Sequence, residues 1–248
     1  MNRTSDKDKK KFSGKDKKNF SGTDKKKIKI KNKNRNATVG FNFNKIEKIN
    51  KNFMYQNLSK SKCYNCNFSE SNFDFVSFRG AHFKTCNFEG GSFTGAEFIG
   101  SNLKESNFTN AKFENVVFES AKLVDADFKG AEFINTIFLS TDTEGAKNLN
   151  LEDENIKVFK EMPQLEISDE LRVAVESVMQ NKFVKKARVL DTREGKINFI
   201  SLMILLDNFD ESTLIKGFSK IDEYTDRDFY TLSFIIKLIK KLQKDEII

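Results

Sequence analysis

The chain has 248 residues, 38% hydrophobic and 32% charged, with a formal net charge of +7. The charge is uneven: residues 1–62 carry 20 Lys+Arg against 5 Asp+Glu, 63–140 carry 6 against 10, and 141–248 carry 17 against 21. The length admits one large or two modest domains, and the longest apolar stretch, residues 199–206, falls far short of the ~20 residues that cross a bilayer.

The first 35 residues repeat an imperfect unit, Asp8-Lys-Lys-Lys-Phe-Ser-Gly14, Asp16-Lys-Lys-Asn-Phe-Ser-Gly22, then Asp24-Lys-Lys-Lys-Ile28. Dense like charge with little to bury predicts a disordered basic tail over 1–37. No apolar stretch of a secretory signal is visible in it. Lys9, Lys10, Lys11, Lys17, Lys18, Lys25, Lys26 and Lys27 are its candidate contacts to a polyanion, with Phe12 and Phe20 able to stack on bases. Residues 38–62 are expected to form a lead-in or N-terminal cap, built on apolar residues such as Val39, Phe41, Phe43, Ile46, Ile49 and Phe53.

From residue 68 a strict period of five takes over, with Phe68, Phe73, Phe78, Phe83, Phe88, Phe93, Phe98, Leu103, Phe108, Phe113, Phe118, Leu123, Phe128, Phe133 and Phe138 in one column. Neither a helical period of 3.6 nor a strand period of 2 sustains that spacing, so the pattern predicts a repeat architecture with this column as its core. Two residues before each lies a small one, as at Cys66, Ser71, Val76 and Ala81, and large facing small fills a narrow interior without overpacking. Gly80, Gly90, Gly95, Gly100 and Gly130 fall two residues after the large one, where a corner needs unusual backbone angles.

Ala126-Asp127-Phe128-Lys129-Gly130 and Ser101-Asn102-Leu103-Lys104-Glu105 resemble the pentapeptide repeat family, whose units run Ala, Asp or Asn, Leu or Phe, then two variable residues. The resemblance covers roughly 63–140. It implies a β-solenoid: a short right-handed quadrilateral β-helix over 63–142, one repeat per face and four faces per coil, so that residues 20 apart stack. About four coils at the ~4.8 Å strand spacing give a rod about 20 Å long.

Past residue 140 the period dissolves at Thr143 and Asn148, and a small α-helical C-terminal domain is expected over 150–248. Ser168 heads a helix with Leu171, Val175, Val178 and Met179 on one face. Residues 197–206 form a buried helix, and Thr225 with Asp228 reads as the capping box of a last helix carrying Phe229, Leu232, Ile236 and Ile239.

Chemistry-bearing residues are sparse. Cys63 and Cys66 have the spacing of half a zinc site, but the register puts both inside the rod, with Cys86 stacked on Cys66. His82 is the only histidine and points outward. Glu97, Glu119 and the other carboxylates of the rod are spread along it and read as solvated. No catalytic residue, metal site or cofactor is expected. The leading functional expectation is a non-enzymatic, cytoplasmic, protein-binding scaffold, with outward Val117 and Ile137 as a candidate interface for a partner or for the C-terminal helices. The alternative is attachment to nucleic acid or an anionic surface through the tail. The family resemblance adds a third reading, DNA mimicry toward type II topoisomerases, for which the weakly acidic rod would need to dimerise end to end.

Overall fold

The computed structural model describes residues 40–248. The tail, with all eight of its candidate lysines, lies outside the described residues.

A local rule sets each repeat. Asn or Asp before the large residue accepts from the backbone N–H two positions on, as Asn72 Oδ1 does from Asp74 (2.8 Å), Asn107 from Thr109 (3.0 Å) and Asp127 from Lys129 (3.0 Å). That Asx turn starts a bend. The bend is completed by a residue with positive φ at each corner from Lys45 to Gly145, whether Gly80, Gly90 and Gly95 or Tyr55, Phe75, Glu105 and Ser120. Five residues therefore make one side and one corner.

The sides stack in parallel at an offset of twenty. Strands β1 (Asn42–Asn44), β2 (Lys62–Tyr64) and β3 (His82–Lys84) pair on one face. A second face holds β4 (Glu97–Ile99), β6 (Val117–Glu119), β8 (Thr136–Leu139) and β9 (Ile156–Phe159). A third carries β5 (Lys112–Glu114) and β7 (Glu132–Ile134), and the fourth is tied by single bridges such as Asn67↔Asn87 and Asn87↔Asn107.

Inside, the aromatic column forms ladders. Phe73, Phe93 and Phe113 stack at 5.3 and 5.1 Å, and Phe78, Phe98 and Phe118 at 4.5 and 4.8 Å, with nearly parallel rings. Every residue expected in the core is buried except Phe133. It is half-buried at the end of its ladder, where the residue twenty positions on is Asp153 and not another phenylalanine. Cys63, Cys66 and Cys86 are buried free thiols. Burial, foremost, pushes Cys86 up to about 12 and Cys63 higher still, which keeps both protonated.

The rod is longer than the expected four coils. Pairing runs from Asn42↔Lys62 through Glu47↔Asn67, Asn52↔Asn72 and Asn57↔Ser77 at the start, to Thr136↔Ile156 at the end. Residues 40–159 thus wind about six coils, about 29 Å at the usual strand spacing. Residues 40–62 form a coil of this rod and not a separate cap. Its inward positions are Phe43, Lys48, Phe53 and Leu58, and the one lysine hides the period. At the other end Thr143 stands in the inward column, Asn148 turns outward with positive φ to donate to Asp127 Oδ1, and pairing persists at Lys122↔Asp142, Asp127↔Lys147 and Thr136↔Ile156.

Five helices follow: α1 (Asp169–Val178), α2 (Lys182–Ala187), α3 (Phe199–Leu206), α4 (Glu211–Tyr224) and α5 (Ser233–Lys244). Leu171 and Val175 of α1, Leu202 and Leu205 of α3, Leu214 and Phe218 of α4, and Ile235 and Ile239 of α5 share one core. Ser168 caps α1 as expected, its hydroxyl accepting from Leu171 N–H at 3.1 Å. Thr225 has a different role from the expected one. It ends α4 as C-cap and is buried, while α5 starts only at Ser233 with no side-chain cap of its own.

Candidate interaction site

One face of the rod meets the helices. On that face the outward residues before the inward phenylalanines are Ser77, Glu97, Val117 and Ile137, and those after are Arg79, Ile99, Glu119 and Leu139. Val117, Ile137 and Leu139 bury themselves with Ile200 of α3, and Phe159, Met162, Met203 and Ile204 pack around them. The candidate interface pair is therefore covered by the protein's own helices and is not a free surface.

Polar contacts flank this apolar patch. Arg79 Nη2 donates to the Arg188 carbonyl (2.8 Å), Lys157 pairs with Asp207 (3.0 Å), and Asn198 Nδ2 donates to Glu119 Oε2 (3.4 Å). Leu232 N–H donates to Glu97 Oε1 at 2.6 Å. The first amides of a helix lack internal partners and favour negative charge, so a rod carboxylate caps α5 where its own sequence offers no cap. Gly95 lets α5 approach: its φ is +62°, and a Cβ there would press on Ser233 Oγ and the Phe75 ring.

Glu97 is fully buried, and Oε2 has no partner. Burial, foremost, raises its carboxyl to about 7; the Leu232 amide and Arg79 pull it down, and Glu119 pushes it up. Glu119 is raised as well, mainly by burial, against Arg79 and the Asn198 hydrogen bond. Neither is the solvated carboxylate expected. The clue lay in register, since Glu97 occupies the same outward column as Val117 and Ile137.

Beside the seam, Tyr55 and Phe75, at the same corner of successive coils, stack at 5.0 Å. Lys237 of α5 sits over both rings, 3.3 Å from the Phe75 centroid and 4.8 Å from Tyr55, and donates to Tyr55 Oη at 2.8 Å. These residues open into a cleft of about 770 Å³ also lined by Tyr224 at the end of α4, Arg227 and Tyr230 of the connection from α4 to α5, and Phe234 of α5. Tyr55 is 56% exposed and Tyr224 38%. No feature of the repeat pattern marked this cleft, because its two aromatics occupy corner positions.

His82 lies in β3, half-buried, on the side of the coil that follows Arg79 and the corner at Gly80. Among the described residues no cluster of His, Cys, Asp and Glu could hold a metal ion, and no helix is long and apolar enough to cross a membrane.

The stacked coils, their Asx turns and their fivefold register define a pentapeptide-repeat solenoid. The pentapeptide repeat region profile matches residues 81–157 and the eight-copy pentapeptide repeats profile matches 57–90. Residues 57–157 are therefore a pentapeptide-repeat region, and a helical region follows it. Solved structures similar to it include the pentapeptide repeat protein Rfr23 from the cyanobacterium Cyanothece (18% identity, 49% of this chain and 86% of that one, TM-score 0.30). Others are a pentapeptide repeat protein from the Arabidopsis thaliana thylakoid lumen (16%, 67% and 90%, 0.32) and QnrB1, a plasmid-mediated fluoroquinolone resistance protein (16%, 49% and 90%, 0.29). No curated protein matches the chain at a significant level.

Proposed function

We propose that the chain is a non-catalytic, protein-binding scaffold, and that its contact surface is the aromatic cleft beside the seam. The observation that carries this reading is the pair of exposed tyrosines, Tyr55 and Tyr224, that line one cleft together with Arg227. Tyr and Arg dominate the energetics of protein interfaces because they combine a large buried area with directed hydrogen bonds. Tyr55 is carried on a stacked coil, so little ordering entropy is lost when a partner docks.

DNA mimicry finds little support in the rod's charge. Residues 40–160 hold 14 Lys+Arg and 16 Asp+Glu, whereas duplex DNA of about 29 Å carries roughly 17 negative charges. Attachment through the lysine tail is the competing reading, and the same experiment separates it. Affinity enrichment from cells that express the protein should use the full chain, the Tyr55→Ala/Tyr224→Ala variant, and a variant lacking residues 1–35. The scaffold reading expects protein partners that survive loss of the tail and disappear with the tyrosines. Partners lost only with the tail, accompanied by salt-sensitive binding to duplex DNA or RNA, would replace it with the tail reading.

A further inference from the structure

A second cleft, of about 310 Å³, lies between the rod face and helices α3 and α5. Ile99 and Val117 of the rod, with Ile200, Ile204 and Ile236 of the helices, form apolar walls, and Glu97 and Glu119 also line it. Arg79 is the cation that bears on both carboxylates, and its guanidinium is shared with the Arg188 carbonyl, while the two lysines of the cleft, Lys237 and Lys240, donate elsewhere, to Tyr55 and Asn208. Two acids against one shared cation leave one negative charge uncompensated when both ionise. Glu97 Oε2, fully buried and without a hydrogen-bond partner, is the acceptor left over. A buried polar atom without a partner costs free energy that a fitting donor restores.

From this geometry we infer that the cleft is a binding site for a ligand with a primary ammonium on an unbranched aliphatic stem, its head on the Glu97–Glu119 pair and its stem between the isoleucines. The rim adds a second condition. Lys237 and Lys240 of α5 line the same cleft and favour a carboxylate at the ligand's other end. A diamine would place its second ammonium against them. Lysine as the C-terminal residue of a polypeptide meets both conditions, and the free amino acid meets them with an α-ammonium beside its carboxylate at the rim.

Binding carries a proton signature. Below the titration of Glu97, near 7, entry of the ammonium ionises this carboxyl, and the proton leaves to solvent while the ligand keeps its charge. Arg79 and Glu119 on the rod and Lys237 and Lys240 on α5 are the charged groups facing the site, and α3 lines it with Ile200, Ser201 and Ile204.

The test is calorimetric titration of the full chain with L-lysine, norleucine, cadaverine and a short peptide ending in lysine, at about pH 6 in buffers of differing ionisation enthalpy. Lysine or the lysine-ending peptide should bind with about one proton released. Norleucine, lacking the side-chain ammonium, and cadaverine, lacking the carboxylate, should bind at least about tenfold more weakly. Binding of the peptide alone identifies a polypeptide source, and binding of the free amino acid alone a metabolite. Glu97→Gln should abolish binding. If that variant does not fold, the proton release of the unaltered chain decides. No binding of either lysine form up to about 10 mM, binding without proton release, or unchanged affinity in a folded Glu97→Gln variant would overturn the assignment.

Discussion

Within a single repeat, the stability of the rod divides between its aromatic ladder and its corners. Phe108 is fully buried between Phe88 and Phe128, each 5.1 Å away, whereas Phe133 is half-buried at the end of its ladder. Phe108→Ala should cost about 3–5 kcal/mol by denaturant unfolding and Phe133→Ala clearly less, because only the first leaves a closed cavity. The corners supply an independent check. At Gly100 (φ +60°) an added Cβ meets nothing within 4 Å, so Gly100→Ala tests backbone strain alone and should cost on the order of 1 kcal/mol. Glu105 holds the same conformation (φ 61°) with a side chain, and Glu105→Gly should shift the melting temperature upward by removing that strain. The five-residue period made the inward column and the buried cysteines legible. It did not make the corners legible, because Tyr55, Phe75 and Glu105 accept a left-handed backbone that local preference disfavours, held there by hydrogen bonds from their own N–H to the next coil.

Among the elements, what was legible depended on whether a segment carried its own cap and period. Ser168 before α1 announced itself, and Ser168→Ala should cost about 0.5–2 kcal/mol in thermal unfolding followed at the helical region. Helix α4 was overlooked although Asp210 caps it, accepting from Thr213 N–H at 2.7 Å, and Leu214, Phe218 and Ile221 repeat on its buried face. Thr225 misled because a threonine three residues before an aspartate fits a helix start, yet α4 already ends there. Helix α5 could not be bounded from its own residues, since its N-terminal acceptor, Glu97, lies 135 residues earlier.

At the scale of the whole molecule, rod and helices form one unit joined along a face, and its stability should depend on pH. Glu97 titrates near 7 when folded against an ordinary 4.5 when exposed. The stability this group contributes is therefore complete below about pH 4.5 and is lost as the pH rises through 7. Unfolding at about pH 5.5 and about pH 8 should differ by on the order of 1–3 kcal/mol, and Glu97→Gln should flatten the difference.

Both clefts owe their walls to the docking of α3 and α5 on this face, so the junction of Ile137 with Ile200 is the decisive contact. A double-mutant cycle measures it. Ile137→Ala and Ile200→Ala should each destabilise the full chain by about 2–5 kcal/mol, and the double variant should fall short of their sum by at least about 0.5 kcal/mol, as residues sharing one contact do. Additive losses, with no coupling between the two isoleucines, would contradict a helical region docked on the rod.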